Sequence, residues 1–319
     1  MTNENNSVRA SKPKLTVEEQ VEHLRRKGVT FELCSAEQAR ETLSDKTYYF
    51  KLAAYRVLFD KRTGGARDGE YVGLDFGQLR DLAAIDHMLR YTLLPMTLDI
   101  EHFAKVKLMR EVTKRADEDG YSIVKDYLKS LSGRNRSIRE MEMERLKRDG
   151  YSGGMACKYD GEKPVWVLIE LLSFGGFINF YLFCADRWQD QRMRSEHYLL
   201  RQAQAVRNAC AHSTDIINGF APGEASTIRT PREVAVALDG IGINRRSRRA
   251  KMANPRVQQI TMMAFAYREM VTGSHTREMC KDLVGALERR AVEHADWYAN
   301  VDSVVSAYKF LAKVFDNWV

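Results

Sequence analysis

Apolar residues recur at three- and four-residue spacing along most of the chain, which is the period of an α-helix with one buried face. At the first such stretch, Thr16 is followed three residues later by Glu19, and Gly28 closes the pattern. A capping box and a glycine stop therefore bound a first helix. Ser35 and Gln38 mark the start of a second helix in the same way. Because no stretch alternates as a half-buried strand does, the pattern predicts an all-α fold.

The longest helical patterns lie in the second quarter and in the last third of the chain. Residues 76–94 predict a long helix, and Pro95 predicts a break before a further one. Residues 164–183 predict two buried helices joined by a glycine turn. The aromatic run at 48–56 is interpreted as packed core rather than as a platform for RNA bases. Three more helices are predicted at 255–271, 276–294 and 301–318.

Composition shifts divide the chain into four predicted segments. Residues 1–14 are polar and predict a disordered N-terminus. An N-terminal helical region at 15–75 precedes a helical core at 76–225, and a C-terminal helical region follows at 226–319. Within the core, residues 131–163 are rich in charge and glycine, which predicts a mobile charged insertion with one short helix.

A run of small residues carries three polar side chains at the end of the helix predicted over 198–212. Arg207 and Asn208 are separated from His212 only by alanine and cysteine. Asn208 and His212 stand four residues apart and share one helix face, whereas Arg207 lies about 140° around the helix from His212. An imidazole can move the proton of a ribose 2′-hydroxyl, a guanidinium can stabilise charge on the phosphate, and an amide can orient the substrate. The chemistry indicated is RNA cleavage without a metal or cofactor.

The spacing of arginine and histidine does not by itself select this site. The same spacing joins Arg192 to His197 and Arg289 to His294, where bulky charged residues stand between the two. Those surroundings are typical of ordinary solvated helix faces. The choice of Arg207 and His212 therefore depends on the rest of the chain.

Charge adds a second candidate region. Fifty Lys and Arg against 43 Asp and Glu give a net charge of +7, which favours a polyanionic partner. The densest positive patch is predicted to contact RNA phosphates, with a solvated linker as the alternative. It consists of Arg245, Arg246, Arg248, Arg249 and Lys251.

Cysteine usage and hydropathy bear on the compartment. The five cysteines include no C-x-x-C pair, which is typical of a reducing cytosol and not of a zinc site. No apolar run reaches the length of a membrane span. We therefore expect a cytoplasmic protein with no metal and no membrane contact.

Several ordered blocks lie along the chain: Tyr48 to Tyr55, Ile85-Asp86 with Leu89-Arg90, Ile100-Glu101, Pro164 to Gly175, and Val206 to His212. Together they resemble bacterial abortive-infection proteins of the Abi-D/Abi-F type, whose core belongs to the HEPN superfamily of helical RNases and RNA binders. The last block is similar to the "VRN-x-CAH" form of the HEPN nuclease motif. Where many relatives carry a second histidine, this chain has Ser213.

The resemblance implies a HEPN-like helical bundle with additional N- and C-terminal helices. It also implies that Arg207, Asn208 and His212 form a catalytic half-site completed in a homodimer. A pair of motifs within one chain, using His197 or His294, is the alternative. The function implied is a phage-defence toxin that cuts RNA and is held in check by an RNA or protein antitoxin.

Two other functions stay open from the sequence. The fold can hold a structured RNA, antitoxin-like or guide-like, without cleaving it, and the basic patch favours this hypothesis. Alternatively, Arg207 and His212 form a structural contact between two copies, in which case replacing either residue removes dimerisation together with function.

Overall fold

The computed structural model describes residues 13–299 and 301–319, and every regular element within them is a helix. The predicted all-α class is confirmed. Most of the predicted disordered N-terminus, residues 1–12, lies outside the described residues. The α-helices are α1 (Val17–Arg26), α2 (Ala36–Glu41), α3 (Tyr49–Ala54), α4 (Phe76–Lys114), α5 (Ser122–Ser130), α6 (Gly133–Leu146), α7 (Gly153–Lys158), α8 (Val165–Leu171), α9 (Phe174–Arg187), α10 (Gln191–Ala211), α11 (Arg232–Gly240), α12 (Arg245–Met252), α13 (Pro255–Met270), α14 (Ser274–Val292) and α15 (Asp302–Trp318). Short turns of other helical type are Thr42–Lys46 (π) and Tyr55–Leu58, Ile217–Phe220 and Ala295–Tyr298 (3₁₀).

Both predicted capping boxes are present at the first two helices. The Thr16 hydroxyl accepts the Glu19 N–H at 3.2 Å, and the Glu19 carboxylate accepts the Thr16 N–H at 2.7 Å. Ser35 and Gln38 exchange the same two bonds at 3.2 and 3.0 Å. Gly28 follows α1 with φ +80°, a conformation that costs glycine little. Local sequence therefore determines where these two helices begin.

The long helix α4 runs without interruption through Pro95, so the predicted break there is wrong. Its 39 residues begin at Phe76, and the carboxylate of the preceding Asp75 caps the first turn by accepting the Gly77 N–H at 2.7 Å. Proline inside a helix costs about 3 kcal/mol because one hydrogen bond is lost. Leu93 and Met96 on either side are fully buried, and their packing holds the helix through that point.

The apolar pair α8 and α9 confirms the predicted helix, turn and helix. Ser173 lies between them, and its hydroxyl accepts the Gly176 N–H at 3.3 Å. The following helix, α10, begins at Gln191, earlier than the predicted residue 198, because the Asp190 carboxylate caps it by accepting the Met193 N–H at 2.9 Å. The two helices α9 and α10 pack against each other and carry much of the core.

The charged insertion at 131–163 contains two helices, α6 and α7, so the prediction of one short helix is wrong. One of its arginines, Arg139, is only 7% exposed and pairs with Glu142 on its own helix. A β-carbon added at Gly176 would lie 2.6 Å from the Arg139 guanidinium. The glycine thus leaves room for this buried side chain, and the insertion packs against the start of α9.

The three predicted C-terminal helices are confirmed as α13, α14 and α15. The end of α14 is tied to α4 through the buried carboxylate of Asp81. Asp81 accepts the Tyr298 hydroxyl at 2.7 Å, lies 2.8 Å from His294 Nδ1, and pairs with Arg290. The His294 ring also stacks on Trp297 with centroids 4.0 Å apart.

One continuous cluster of buried apolar side chains extends from Val21 to Val319. It includes residues from the N-terminal, core and C-terminal segments, and the boundaries predicted between those segments stay a prediction. Among the helices that the structure describes, none is both long enough and apolar enough to cross a bilayer.

Candidate functional site at the end of helix α10

The polar motif lies where α10 ends. His212 caps the helix, and its N–H donates to the Asn208 carbonyl at 3.0 Å. Ser213 follows with φ 53°, in the left-handed region that rarely holds a residue other than glycine or asparagine. The chain therefore turns away directly after His212, which leaves the imidazole at an exposed helix end.

The Arg207 side chain is more buried than those of Asn208 and His212. Asn208 and His212 are exposed, whereas the Arg207 side chain is 36% exposed and points to α4. Its Nε lies 3.8 Å from Oε2 of Glu101, whose side chain is 15% exposed. Within the described residues, this Nε is buried and has no hydrogen-bond partner. A guanidinium held on one side by a carboxylate has its other donors available for an anion.

The polar side chains of the motif do not bond to one another within the described part of the chain. Across residues 13–299 and 301–319, no hydrogen bond or ion pair joins the side chains of Arg207, Asn208 and His212. This agrees with their positions around the helix, since only Asn208 and His212 share a face. The assignment of these three residues as catalytic stays a prediction.

A buried carboxylate holds the loop that follows the motif. Asp86 of α4 is completely buried, and its Oδ1 accepts the N–H groups of Ile216 and Ile217 at 2.9 and 2.8 Å. Its Oδ2 accepts the Tyr55 hydroxyl at 2.9 Å and pairs with Arg90. Burial raises the pKa of Asp86, and the Arg90 guanidinium is the largest opposing influence. Both oxygens of this carboxylate are thus fully hydrogen-bonded, and they hold the loop that follows His212.

Helix α3 holds the same loop from a second side. Lys51 Nζ lies 2.7 Å from the Asp215 carboxylate and also donates to the Ser213 carbonyl. The Tyr55 hydroxyl lies 3.3 Å from Asp215, and Arg90 donates to the Thr214 carbonyl at 3.4 Å. Sequence reasoning placed Lys51, Tyr55 and Arg90 in family-like blocks but gave them no role. Their shared function is to position the turn after His212.

The aromatic run beside this anchor is divided between core and surface. Leu52 and Tyr55 are buried, as the interpretation as core predicts. Tyr48 and Phe50 are 64% and 81% exposed, and for these two residues that interpretation is wrong. Tyr48 is the N-cap that precedes α3, and Phe50 lies on the opposite face of this short helix from the buried Leu52.

The basic patch forms helix α12, capped by Asn244. Arg245, Arg246 and Arg249 are exposed. The other two basic residues are engaged within the chain, because Arg248 pairs with Asp239 and Lys251 donates to the Ser306 hydroxyl. Burial lowers the pKa of Lys251. Three of the five predicted RNA-binding residues are therefore free to meet phosphates, and the contact itself stays a prediction.

The other histidines considered for a second motif lie in different surroundings. His197 is 4% exposed, and neither ring nitrogen has a partner among the described residues. His294 is engaged by Asp81 and Trp297. Neither imidazole is exposed as that of His212 is. In the parts of the chain that the structure describes, no group of His, Cys, Asp and Glu could hold a metal ion.

The buried state of His197 predicts a dependence of stability on pH. Burial, aided by the nearby positive charge of Arg201, lowers the pKa of His197 in the folded chain. The unfolded chain therefore binds a proton at His197 before the folded chain does, and stability falls as the pH drops below about 6.5. Between pH 7.5 and 5.5 the free energy of unfolding is expected to fall in both proteins. We expect the fall to be smaller in His197→Leu than in the unmutated chain, by up to about 1 kcal/mol. Urea unfolding at both pH values measures this, and equal losses in the two proteins would exclude His197 as the cause.

The whole sequence can be compared with the models of known protein families. The sequence model of a family described as "Abi-like protein" matches residues 41–218, which is more than half of the chain. The chain belongs to the Abi-like protein family. No curated protein and no solved structure matches it.

Membership confirms the resemblance to abortive-infection proteins and supports a role of this Abi-like protein in abortive infection. The matched range contains the motif and every residue that anchors the loop behind it, from Lys51 to Asp215. It does not reach α12, so the basic helix is a feature outside the part of the chain that the family shares.

Proposed function

We propose that this Abi-like protein is a metal-independent endoribonuclease of the HEPN type that acts in phage defence. The observation that carries the proposal is the geometry at the end of α10. There, Asn208 and His212 are exposed on one face, and the loop behind them is fixed by the buried Asp86. A rigid support beneath an exposed imidazole and amide is the arrangement that positioned acid–base chemistry requires.

The reaction would proceed in one displacement at phosphorus. A neutral His212 imidazole takes the proton of a ribose 2′-hydroxyl, and the 2′-oxygen attacks the neighbouring phosphorus. The bond from phosphorus to the 5′-oxygen breaks, and an imidazolium returns a proton to that oxygen. The products are a cyclic phosphate end and a 5′-hydroxyl end. Asn208 would orient the phosphate through its amide.

Arg207 would stabilise the charge that develops on the phosphate oxygens. Its guanidinium offers five donors in a plane, and Glu101 occupies only one edge of it. Glu101 is therefore a positioning residue in this proposal. Because Arg207 and His212 lie about 140° apart around α10, RNA would bridge them or a second copy would bring its own half-site alongside.

A homodimer is the form in which the half-site would act. The end of α10 carries the small residues Ala209 and Ala211 between its polar side chains, and Ala211 is exposed. Small exposed side chains let a second backbone approach closely. Two copies that meet here would place two imidazoles near one phosphate, one as base and one as acid. An antitoxin, RNA or protein, would restrain the toxin by covering the same surface.

RNA cutting in the presence of a chelator tests this proposal. We expect the purified protein to cut RNA and Arg207→Ala to cut about 10²–10³-fold more slowly, because one charge-stabilising group is lost at the phosphate. Arg201→Ala is the matched control, since Arg201 is an exposed arginine of the same helix. Cutting rates from a gel time course decide the matter. Undiminished cutting by Arg207→Ala, or an equal loss in both variants, would contradict the proposal.

A second function is favoured by α12. Its three exposed arginines form a compact positive surface that suits a structured RNA held without cleavage. RNA that copurifies with the protein and stays intact for hours would support this alternative. If Arg207 and His212 instead form a structural dimer contact, both alanine variants lose the dimer mass in solution as well as function.

A further inference from the structure

A cavity of about 370 Å³ lies between α4, α14 and α15, on a part of the molecule that the proposed function does not use. Apolar side chains form most of its wall, among them Leu82, Ile85, Leu287, Val304 and Phe315. Its volume lies within the range of about 300–1,000 Å³ that is common for small-molecule sites. A cavity of this size with a mostly apolar wall can bury a compact hydrocarbon group.

A small set of polar groups interrupts the apolar wall. Glu288 and Asp316 both line the cavity, and burial together with the Asp316 carboxylate raises the pKa of Glu288. Within the described residues, Oε1 of Glu288 and the hydroxyl of Tyr308 are buried without a hydrogen-bond partner. Lys309, whose side chain is exposed, also lines the cavity. Two neighbouring carboxyl groups and an unpaired hydroxyl would be satisfied by a cation that donates several hydrogen bonds.

We propose that this cavity binds a small apolar amine, with the ammonium group at Glu288 and Asp316 and the hydrocarbon part against the apolar wall. An ammonium donates three hydrogen bonds, and its positive charge offsets the repulsion between the two neighbouring acids. A neutral alcohol would satisfy the hydrogen bonds but not the charge. A carboxylate of the same length would add a third negative group to the cavity, so it is excluded by electrostatics.

The wall of the cavity is continuous with the contacts that hold the loop after His212. The Tyr308 ring packs edge-on against Phe220, with centroids 6.0 Å apart and planes at 87°. Phe220 ends the 3₁₀ turn that begins with Ile217, whose N–H binds Asp86. Ile85, which lines the cavity, precedes Asp86 in α4. An amine in the cavity would therefore stiffen the loop behind His212, whether or not the protein cuts RNA.

Calorimetric titration with octylamine, octanol and octanoate tests the ligand class. We expect octylamine to bind about tenfold more tightly than octanol, and octanoate not to bind. Ala291→Leu narrows the cavity from α14 and is expected to remove octylamine binding while the helical circular dichroism is kept. Equal affinity for the three probes, or unchanged binding to Ala291→Leu, would overturn the proposal.

Glu288→Gln keeps the shape of the cavity and removes one charge. This variant is expected to bind octylamine about tenfold more weakly and octanol as before. Glu278→Gln is the matched control, because Glu278 is exposed on the same helix. If Glu288→Gln keeps the preference for the amine, the assigned position of the ammonium group is wrong.

Hydrogen exchange of the loop tests the link to the candidate site independently of RNA cutting. Octylamine is expected to slow exchange at the Ile216 and Ile217 amides, which bind Asp86. Unchanged exchange under saturating octylamine would overturn the link to the loop. The readout needs no nuclease activity, so its failure is distinguishable from failure of the proposed function.

Discussion

Replacing Asp86 with alanine is expected to destabilise the fold by about 3–5 kcal/mol, because a buried ion pair loses one partner. Arg90 is left buried without its carboxylate. The N–H groups of Ile216 and Ile217 and the Tyr55 hydroxyl lose the same acceptor. Each buried polar group without a partner adds to the cost. Urea unfolding followed by circular dichroism measures the change.

Asp239→Ala is the matched control for this prediction. Asp239 also pairs with an arginine, Arg248, but its side chain is 54% exposed. An exposed ion pair contributes about 1 kcal/mol or less, since water competes for both partners. A loss of similar size in the two variants would show that Asp86 is not a structural anchor. Asp86→Asn, which keeps one acceptor oxygen, is expected to fall between the two.

Replacing His212 with alanine is expected to reduce the rate of RNA cutting by about 10²–10⁴-fold, which is the usual contribution of a general acid or base. The same change is expected to leave the free energy of unfolding within about 0.5 kcal/mol, because the His212 side chain is exposed. A large kinetic effect with a small effect on stability distinguishes a chemical role from a structural one. Single-turnover cutting of a labelled RNA and urea unfolding provide the two readouts.

His275→Ala serves as the control for the loss of an exposed histidine. His275 lies near the start of α14, in a different helix from the motif, and is exposed as His212 is. We expect this variant to cut RNA at the unmutated rate. If His212→Ala cuts as fast as His275→Ala does, the imidazole at the end of α10 has no catalytic role.

Helix starts were predictable wherever a few neighbouring residues determine them. Thr16 with Glu19 and Ser35 with Gln38 are complete local signals, and both appear as predicted. Pro95 was misleading because its local cost is outweighed by packing on both sides of α4. Helix α6 has no apolar stripe, and its buried arginine depends on a glycine of a distant helix, so its length could not be inferred from its own residues.

The candidate site was predictable as a stretch of sequence but not as an assembly. The run from Arg207 to His212 is visible as three polar residues among small ones. The contacts that support this run are not visible in the sequence, because their partners are far apart along the chain. Asp86 and Ile216 are 130 residues apart, and Lys51 and Ser213 are 162 residues apart. Contacts at such separations arise only from tertiary packing, which no local spacing encodes.

The central claim is that the exposed end of α10 is an RNA-cleaving half-site that acts through His212. Mass spectrometry of the RNA ends left after incubation in chelator tests it most directly. The unmutated protein is expected to leave cyclic phosphate and 5′-hydroxyl ends, and His212→Ala is expected to leave the RNA whole. Ends that carry a 5′-phosphate, or cyclic phosphate ends made equally by His212→Ala, would contradict the claim.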